Sequence, residues 1–114
     1  MRYRRLKNKK EFAKLLKTGK RAHCETLTLV YLPAEEVKMA VCVGKKYGKS
    51  VQRNRIKRLL REAFSRYAGE MKPCAVLLMP KVREEYSFQN FERDVGKLLK
   101  REKLIEGRIQ TTVL

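Results

Sequence analysis

The chain of 114 residues has few of the side chains with which proteins bind zinc or form disulfides. Its single histidine is His23, and its three cysteines, Cys24, Cys42 and Cys74, include no Cys-x-x-Cys pair. A structural zinc site needs closely spaced pairs of such ligands. We therefore expect no metal site in the chain itself, and reduced thiols in a cytoplasmic compartment.

Acidic residues are also scarce, with 12 Asp and Glu against 29 Lys and Arg. A metal-free ribonuclease needs an acid and a base on either side of the scissile phosphate, and His23 has no evident partner. A protein-only metal nuclease needs a cluster of carboxylates. The adjacent acids Glu35 and Glu36, like Glu84 and Glu85, diverge in most conformations and are interpreted as surface charge. The sequence therefore predicts no catalytic residue.

Long apolar runs are missing as well, since no stretch approaches the ~18 residues that span a bilayer. The basic N-terminus, MRYRRLKNKK, is not followed by the apolar segment of a signal peptide, so we expect neither export nor membrane insertion. The chain also has no repeat and no linker rich in Pro or Ser. Its length predicts one domain over residues 1–114.

What the chain has in excess is positive charge, a net of +17. A compact domain with so much like charge repels itself, which indicates a partner that supplies negative charge. Nucleic acid is the leading candidate, and an anionic membrane surface is the alternative.

Apolar spacing and capping residues predict an α+β sandwich with the element order α-β-β-α-β-α. The predicted helices cover 7–18, 51–68 and a segment after Ser87, and the predicted strands cover 27–32, 38–43 and 74–79. Asn8, Ser50 and Ser87 are the expected N-caps. The first two strands are expected to form a hairpin, and the apolar run CAVLLM indicates a central strand. The sheet would have three or four strands covered by helices, and no element is predicted from Arg108 on.

The segment 44–66, GKKYGKSVQRNRIKRLLREAFSR, contains nine Lys or Arg and one acid, Glu62. On a helical wheel its apolar residues occupy one side and its cations the other. Like charges at i, i+4 destabilise a helix by a few tenths of a kcal/mol per pair, so this face predicts binding of a polyanion. Arginine can grip a phosphate with two hydrogen bonds, and Asn54 can read a base edge or a sugar hydroxyl.

The first 21 residues carry ten cations and one acid, Glu11, and form a second basic region. Aromatic side chains such as Phe12 and Tyr31 could stack on unpaired bases there. The competing interpretation is that Phe12 only packs in the core.

The motif Lys45-Lys46-x-Gly48, followed by Val51-x-Arg53-Asn54-Arg55-Ile56-Lys57-Arg58-Leu59-x-Arg61-Glu62-Ala63-Phe64, resembles the protein component of bacterial ribonuclease P. The resemblance extends over about residues 5–104. It implies a ribonucleoprotein whose catalytic RNA removes the 5′ leader of precursor tRNA with Mg²⁺ bound mainly by the RNA, and in which no protein partner is required. It also implies a small mixed sheet with a left-handed strand-helix-strand crossover, against the usual right-handed rule.

The resemblance further implies two sets of site residues. The set that binds the catalytic RNA comprises Lys45, Lys46, Arg53, Asn54, Arg55, Lys57, Arg58 and Arg61. The set that binds the leader, in a cleft between the first helix and the sheet, comprises Phe12, Leu16, Val30 and Tyr31. Two other functions stay open at this point: a different structured-RNA-binding protein, such as a ribosomal protein or RNA chaperone, and a DNA-binding helix-turn-helix.

Overall fold

In the computed structural model, which describes residues 3–105, a mixed five-stranded sheet carries three helices. The elements in chain order are β1 (Arg4–Arg5), α1 (Lys9–Thr18), β2 (Lys20–His23), β3 (Leu27–Pro33), β4 (Lys38–Val41), a 3₁₀ turn (Lys45–Tyr47), α2 (Ser50–Ala68), β5 (Cys74–Pro80) and α3 (Phe88–Arg101). The strands lie in the order β1-β4-β5-β3-β2. This architecture confirms the predicted α+β class and the small mixed sheet.

Strand β5 occupies the centre of the sheet, as its apolar run predicted. It pairs with β4 in parallel and with β3 in antiparallel orientation. Val76, Leu77 and Leu78 are all fully buried, because both faces of a central strand are covered. Helix α2 connects β4 to β5, two neighbouring parallel strands, whereas the handedness of this connection stays a prediction from the resemblance.

The predicted hairpin of β3 with β4 is wrong, because β5 lies between them. The most apolar strand takes the position where both of its edges are paired. β3 forms its antiparallel pair with β2 instead, with Arg21 opposite Val30. β2 was not predicted because only Ala22 of its four residues is buried, and β1 is a two-residue strand beside β4. The sheet therefore has five strands rather than three or four.

Two of the three predicted N-caps are confirmed. Asn8 accepts a hydrogen bond from Lys10 N at 2.8 Å, so α1 begins at Lys9 rather than at residue 7. Ser87 accepts one from Asn90 N at 3.2 Å and starts α3. Ser50 is already helical, and Lys49 is the N-cap of α2.

The two faces of the sheet are covered to different depths. Helices α2 and α3 cover one face, where 20 buried residues form the larger cluster, including Phe64, Phe91 and Leu98. Helix α1 covers the other face, where the five buried residues of the smaller cluster are Leu6, Leu15, Val30, Ala75 and Leu77. None of the helices between residues 3 and 105 has the length and apolarity needed to cross a membrane. The tail from Arg108 lies outside the described residues.

One buried carboxylate joins α3 to the turn between β2 and β3. Asp94 is fully buried and accepts hydrogen bonds from Thr26 N at 3.0 Å, from Thr26 Oγ1 and from Arg93 Nε at 3.0 Å. Burial raises the pKa of Asp94, but the hydrogen bonds from Arg93 and Thr26 outweigh burial and hold it below its usual range. The carboxylate is therefore ionised and satisfied in the folded protein.

Candidate nucleic-acid interface

Helix α2 separates its side chains as the wheel predicted. Ile56, Leu60, Ala63, Phe64 and Ala68 are buried against the sheet and α3. The opposite side exposes Asn54, Arg55 and Arg58, and leaves Arg53, Lys57 and Arg61 half-buried along its margins. The apolar side thus anchors the helix, and the basic side faces outward.

The charge of this basic side is not compensated by the part of the chain that the structure describes. Over residues 3–105, none of the predicted cations from Lys45 to Arg61 forms an ion pair, whereas Arg66, five residues further on, lies 3.9 Å from Glu92. Arg53 Nη2 only reaches Ser50 Oγ at 3.4 Å. Uncompensated like charges on one helix face are the electrostatic footprint of a nucleic-acid-binding surface.

A cleft of about 230 Å³, here called the edge cleft, lies where α1, β1, β4 and α2 meet. Its lining consists of Tyr3, Arg5, Leu6, Phe12, Met39, Ala40, Val41, Lys57 and Arg61. Phe12 from α1 thus shares one cleft with Lys57 and Arg61 from α2. These two cations belong to the predicted RNA-binding set, and Phe12 belongs to the predicted leader-binding set.

The walls of the edge cleft are held by specific contacts. Lys38 Nζ on β4 donates hydrogen bonds to both carboxylate oxygens of Glu11, at 3.0 and 3.1 Å, and so ties α1 to the sheet beside Phe12. Tyr3 packs edge-on against Phe64 with ring centroids 5.1 Å apart. Burial raises the pKa of Tyr3, against the opposing effect of the Arg61 and Arg5 charges. The only acid on α1 is therefore neutralised, and cations dominate the cleft.

The other three predicted leader-binding residues are dispersed. Leu16 is 37% exposed on α1 and does not line the edge cleft. Val30 is fully buried under α1, where a Cβ on Gly19 would come within 2.6 Å of its Cγ1. Val30 thus supports the helix from below, and only glycine allows the chain to approach it so closely.

Tyr31 lies on the opposite face of the sheet from Phe12, so the expectation that the two line one cleft is wrong. Neighbouring residues of a strand point to opposite faces, and Val30 takes the α1 face. The Tyr31 hydroxyl donates a hydrogen bond to Glu102 Oε1 at 2.7 Å. Burial and this hydrogen bond raise the pKa of Tyr31 to about 12.

The two predicted lysines before α2, Lys45 and Lys46, lie in the 3₁₀ turn. This turn is at the margin of the basic side of α2 that is far from the edge cleft. Lys46 borders a hollow of about 410 Å³, here called the tyrosine hollow, whose lining is Lys46, Tyr47, Gly48, Gln52, Arg55, Ile56, Arg83, Glu84 and Tyr86. Lys45 is exposed in the same turn but does not line this hollow. Arg83 was not predicted from the sequence, because it lies in a short loop of mixed charge, after Lys81 and before two glutamates, and approaches α2 only in the folded chain.

Within residues 3–105, no three His, Cys, Asp or Glu side chains are grouped so that they could hold a metal ion. His23 is exposed, and its Nδ1 lies 3.0 Å from Thr28 Oγ1. The cations, aromatic rings and amide on this surface are groups that can bind phosphate, base and ribose.

Comparisons with known proteins agree with the motif. The family model for ribonuclease P matches residues 1–103. The ribonuclease P protein component of Coprothermobacter proteolyticus is 35% identical over 77 residues, which cover 68% of this chain and 65% of that protein. The one from Thermus brockianus is 36% identical over 101 residues, which cover 89% of this chain and 61% of that protein. The chain thus spans somewhat less than two thirds of these relatives' length.

Solved structures show the same fold. The ribonuclease P protein from Thermotoga maritima superposes with a TM-score of 0.76 at 28% identity, covering 90% of this chain and 98% of that chain. The one from Staphylococcus aureus superposes with a TM-score of 0.79 at 20% identity, covering 90% and 97%.

Proposed function

This chain belongs to the ribonuclease P protein family, and we propose that it binds the catalytic RNA of ribonuclease P and the 5′ leader of precursor tRNA. In this proposal it is the protein subunit of a cytoplasmic endoribonuclease that matures the 5′ end of tRNA. The RNA subunit carries out the cleavage, and no further protein is required.

The observation that carries the proposal is the edge cleft, whose lining includes both Phe12 and two cations of α2. An aromatic ring beside Lys57 and Arg61 suits an unpaired nucleotide, whose base can stack while its phosphates meet the cations. The leader of a precursor tRNA is the single-stranded part of the proposed substrate.

The basic side of α2 provides the second half of the proposal. Asn54, Arg55 and Arg58 are exposed, and the two arginines have no ion-pair partner among the described residues. They are therefore available to the backbone of a large structured RNA. The leader and the catalytic RNA would then meet along the margin of α2 that Lys57 and Arg61 occupy.

Magnesium enters this proposal through the RNA. We propose that Mg²⁺ is bound mainly by the catalytic RNA; over residues 3–105, no three His, Cys, Asp or Glu side chains are grouped so that they could hold a metal ion. The protein's cations would replace part of the counterions around the RNA and lower the Mg²⁺ concentration that the complex needs.

Cleavage of 5′-labelled precursor tRNA by the cognate RNA, with and without the protein, tests the proposal across a Mg²⁺ series. We expect the protein to raise activity most at low Mg²⁺ and to cleave nothing alone. Arg61→Ala should weaken this stimulation, whereas Lys97→Ala, which removes an equal charge from an exposed position on α3, should leave it unchanged.

Two results would contradict the proposal. One is robust cleavage by protein that is free of RNA. The other is a tagged protein that co-purifies with whole ribosomes or mixed RNA rather than with one large structured RNA, which would favour a general RNA-binding protein.

A further inference from the structure

We propose that the tyrosine hollow is a second RNA-binding subsite, which takes a phosphate–ribose segment of the structured RNA partner and uses Arg83 as a contact residue. This inference rests on the proposed function and extends it to a loop outside the Arg-Asn-Arg motif. The loop comprises residues 81–87, between β5 and α3.

Three cations from three separate segments border the hollow. Lys46 comes from the 3₁₀ turn, Arg55 from α2 and Arg83 from the loop. At ~100° per residue, Arg55 lies about 160° around α2 from Lys57. The tyrosine hollow and the edge cleft therefore flank the basic side of α2 on opposite margins, and an RNA lying across that side would reach both.

Hydrogen bonds hold the hollow in shape without a ligand. The Tyr86 hydroxyl donates to Lys81 O and accepts from Arg83 N, each at 2.9 Å, and its ring stacks on Phe91 at 5.6 Å. The Tyr47 hydroxyl on the other wall donates to Pro80 O at 2.6 Å. Tyr47 is thus bound to the last residue of β5 and Tyr86 to the loop backbone at Lys81 and Arg83, which fixes the backbone of Arg83 before binding and reduces the ordering that binding would cost.

The chemistry of the hollow favours a phosphodiester backbone. Lys46 and Arg55 have no ion-pair partner among the described residues, and Arg83 has only an exposed contact of 3.8 Å with Glu25. Such an exposed pair contributes little and can be exchanged for a phosphate. Glu84 is the single acid in the lining, and it would oppose a bound phosphate.

Because the hollow contains both cations and the acid Glu84, one substitution should weaken RNA binding and another should tighten it. Each substitution has a matched control. Arg83→Gln removes a cation from the hollow, and Lys97→Gln removes one from an exposed position on α3. Glu84→Gln removes the acid of the hollow, and Glu85→Gln removes the exposed acid next to it, which does not line the hollow. Each pair has the same net charge.

The measurement is the affinity of each variant for the cognate catalytic RNA over a salt series, with thermal melting as a check of folding. We expect Arg83→Gln to weaken binding by roughly three- to tenfold and to reduce the salt slope by about one, as for the loss of one phosphate contact. Glu84→Gln should tighten binding. Both control variants should stay close to the wild type.

If the wild type binds tightly but each variant has the same effect as its control, the subsite is wrong, because only the overall charge of the protein would then determine affinity. The proposed function would be unaffected by that result. Failure of the wild-type protein to bind the catalytic RNA would overturn both.

Discussion

The two faces of the sheet differ in how much they contribute to stability and to binding. Among the described residues, the apolar cluster under α2 and α3 has 20 buried members, whereas the cluster under α1 has five. Phe12 and Leu16 remain partly exposed over the thinner face. Burial of apolar surface is the main source of stability, so most of the stability should come from the α2–α3 face. The α1 face and the outer side of α2 are then free to present binding groups.

The largest effect expected from this comparison is the loss of the buried carboxylate. Asp94→Ala leaves Thr26 N and its hydroxyl buried without their acceptor and removes one of the two acidic partners of Arg93, whose other partner is Glu25. Each buried donor that is left without an acceptor costs about 1–3 kcal/mol, so the loss of two such bonds should cost about 2–6 kcal/mol. Urea unfolding at neutral pH measures this loss, and a cost below about 1 kcal/mol would mean that α3 is not tied through Thr26.

The same residue predicts a pH dependence. The folded pKa of Asp94 is depressed, so its contribution is present above the unfolded value of about 3.9 and is lost as pH falls through the lower folded value. The stability difference between wild type and Asp94→Ala should therefore shrink below about pH 4. A difference that grows on acidification would contradict the assignment.

A matched pair of leucines compares the two faces directly. Leu98 on α3 and Leu15 on α1 are both fully buried. Replacement of a buried leucine by alanine costs about 2–5 kcal/mol, and less where the surroundings can collapse. We expect the loss of unfolding free energy, measured by urea unfolding, to lie in the upper half of this range for Leu98→Ala and in the lower half for Leu15→Ala. The reverse order would refute the division of stability.

The features of this fold that could be predicted from the sequence are those that depend on one local segment of the chain. The sides of α2, the cap at Ser87 and the central strand were predictable, because each depends on spacing or composition within one segment. Strand β2 was not, because Lys20 and its neighbours join the sheet only through pairing with β3. Which of Val30 and Tyr31 points to the α1 face depends on strand register, and a shift of one residue would exchange the two faces. Arg83 approaches Arg55 only through the tertiary fold.

A fourth prediction concerns binding over the thinner face. Phe12 is only half-buried, so Phe12→Ala should leave the protein folded. If its ring stacks on a leader base, precursor tRNA should bind more weakly by about 1–3 kcal/mol. Mature tRNA, which lacks the leader, should bind the variant complex as it binds the wild type. Unfolding of the variant, or an equal loss for both tRNAs, would remove Phe12 from the leader site.

The smallest effect is expected from Tyr31→Phe, which tests whether the α2–α3 face takes any part in binding. The change removes the hydroxyl that donates to Glu102 and keeps the ring, so it should cost about 0.5–1.5 kcal/mol of stability at neutral pH. Because the folded pKa of Tyr31 is raised to about 12, this contribution should persist up to the unfolded value of about 10 and disappear as pH rises through the folded value. Affinity for precursor tRNA should not change, since the side chain lies on the opposite face of the sheet from Phe12. If Tyr31→Phe weakened leader binding while the melting temperature stayed the same, the faces would not be divided as we infer, and the original grouping of Tyr31 with Phe12 would be restored.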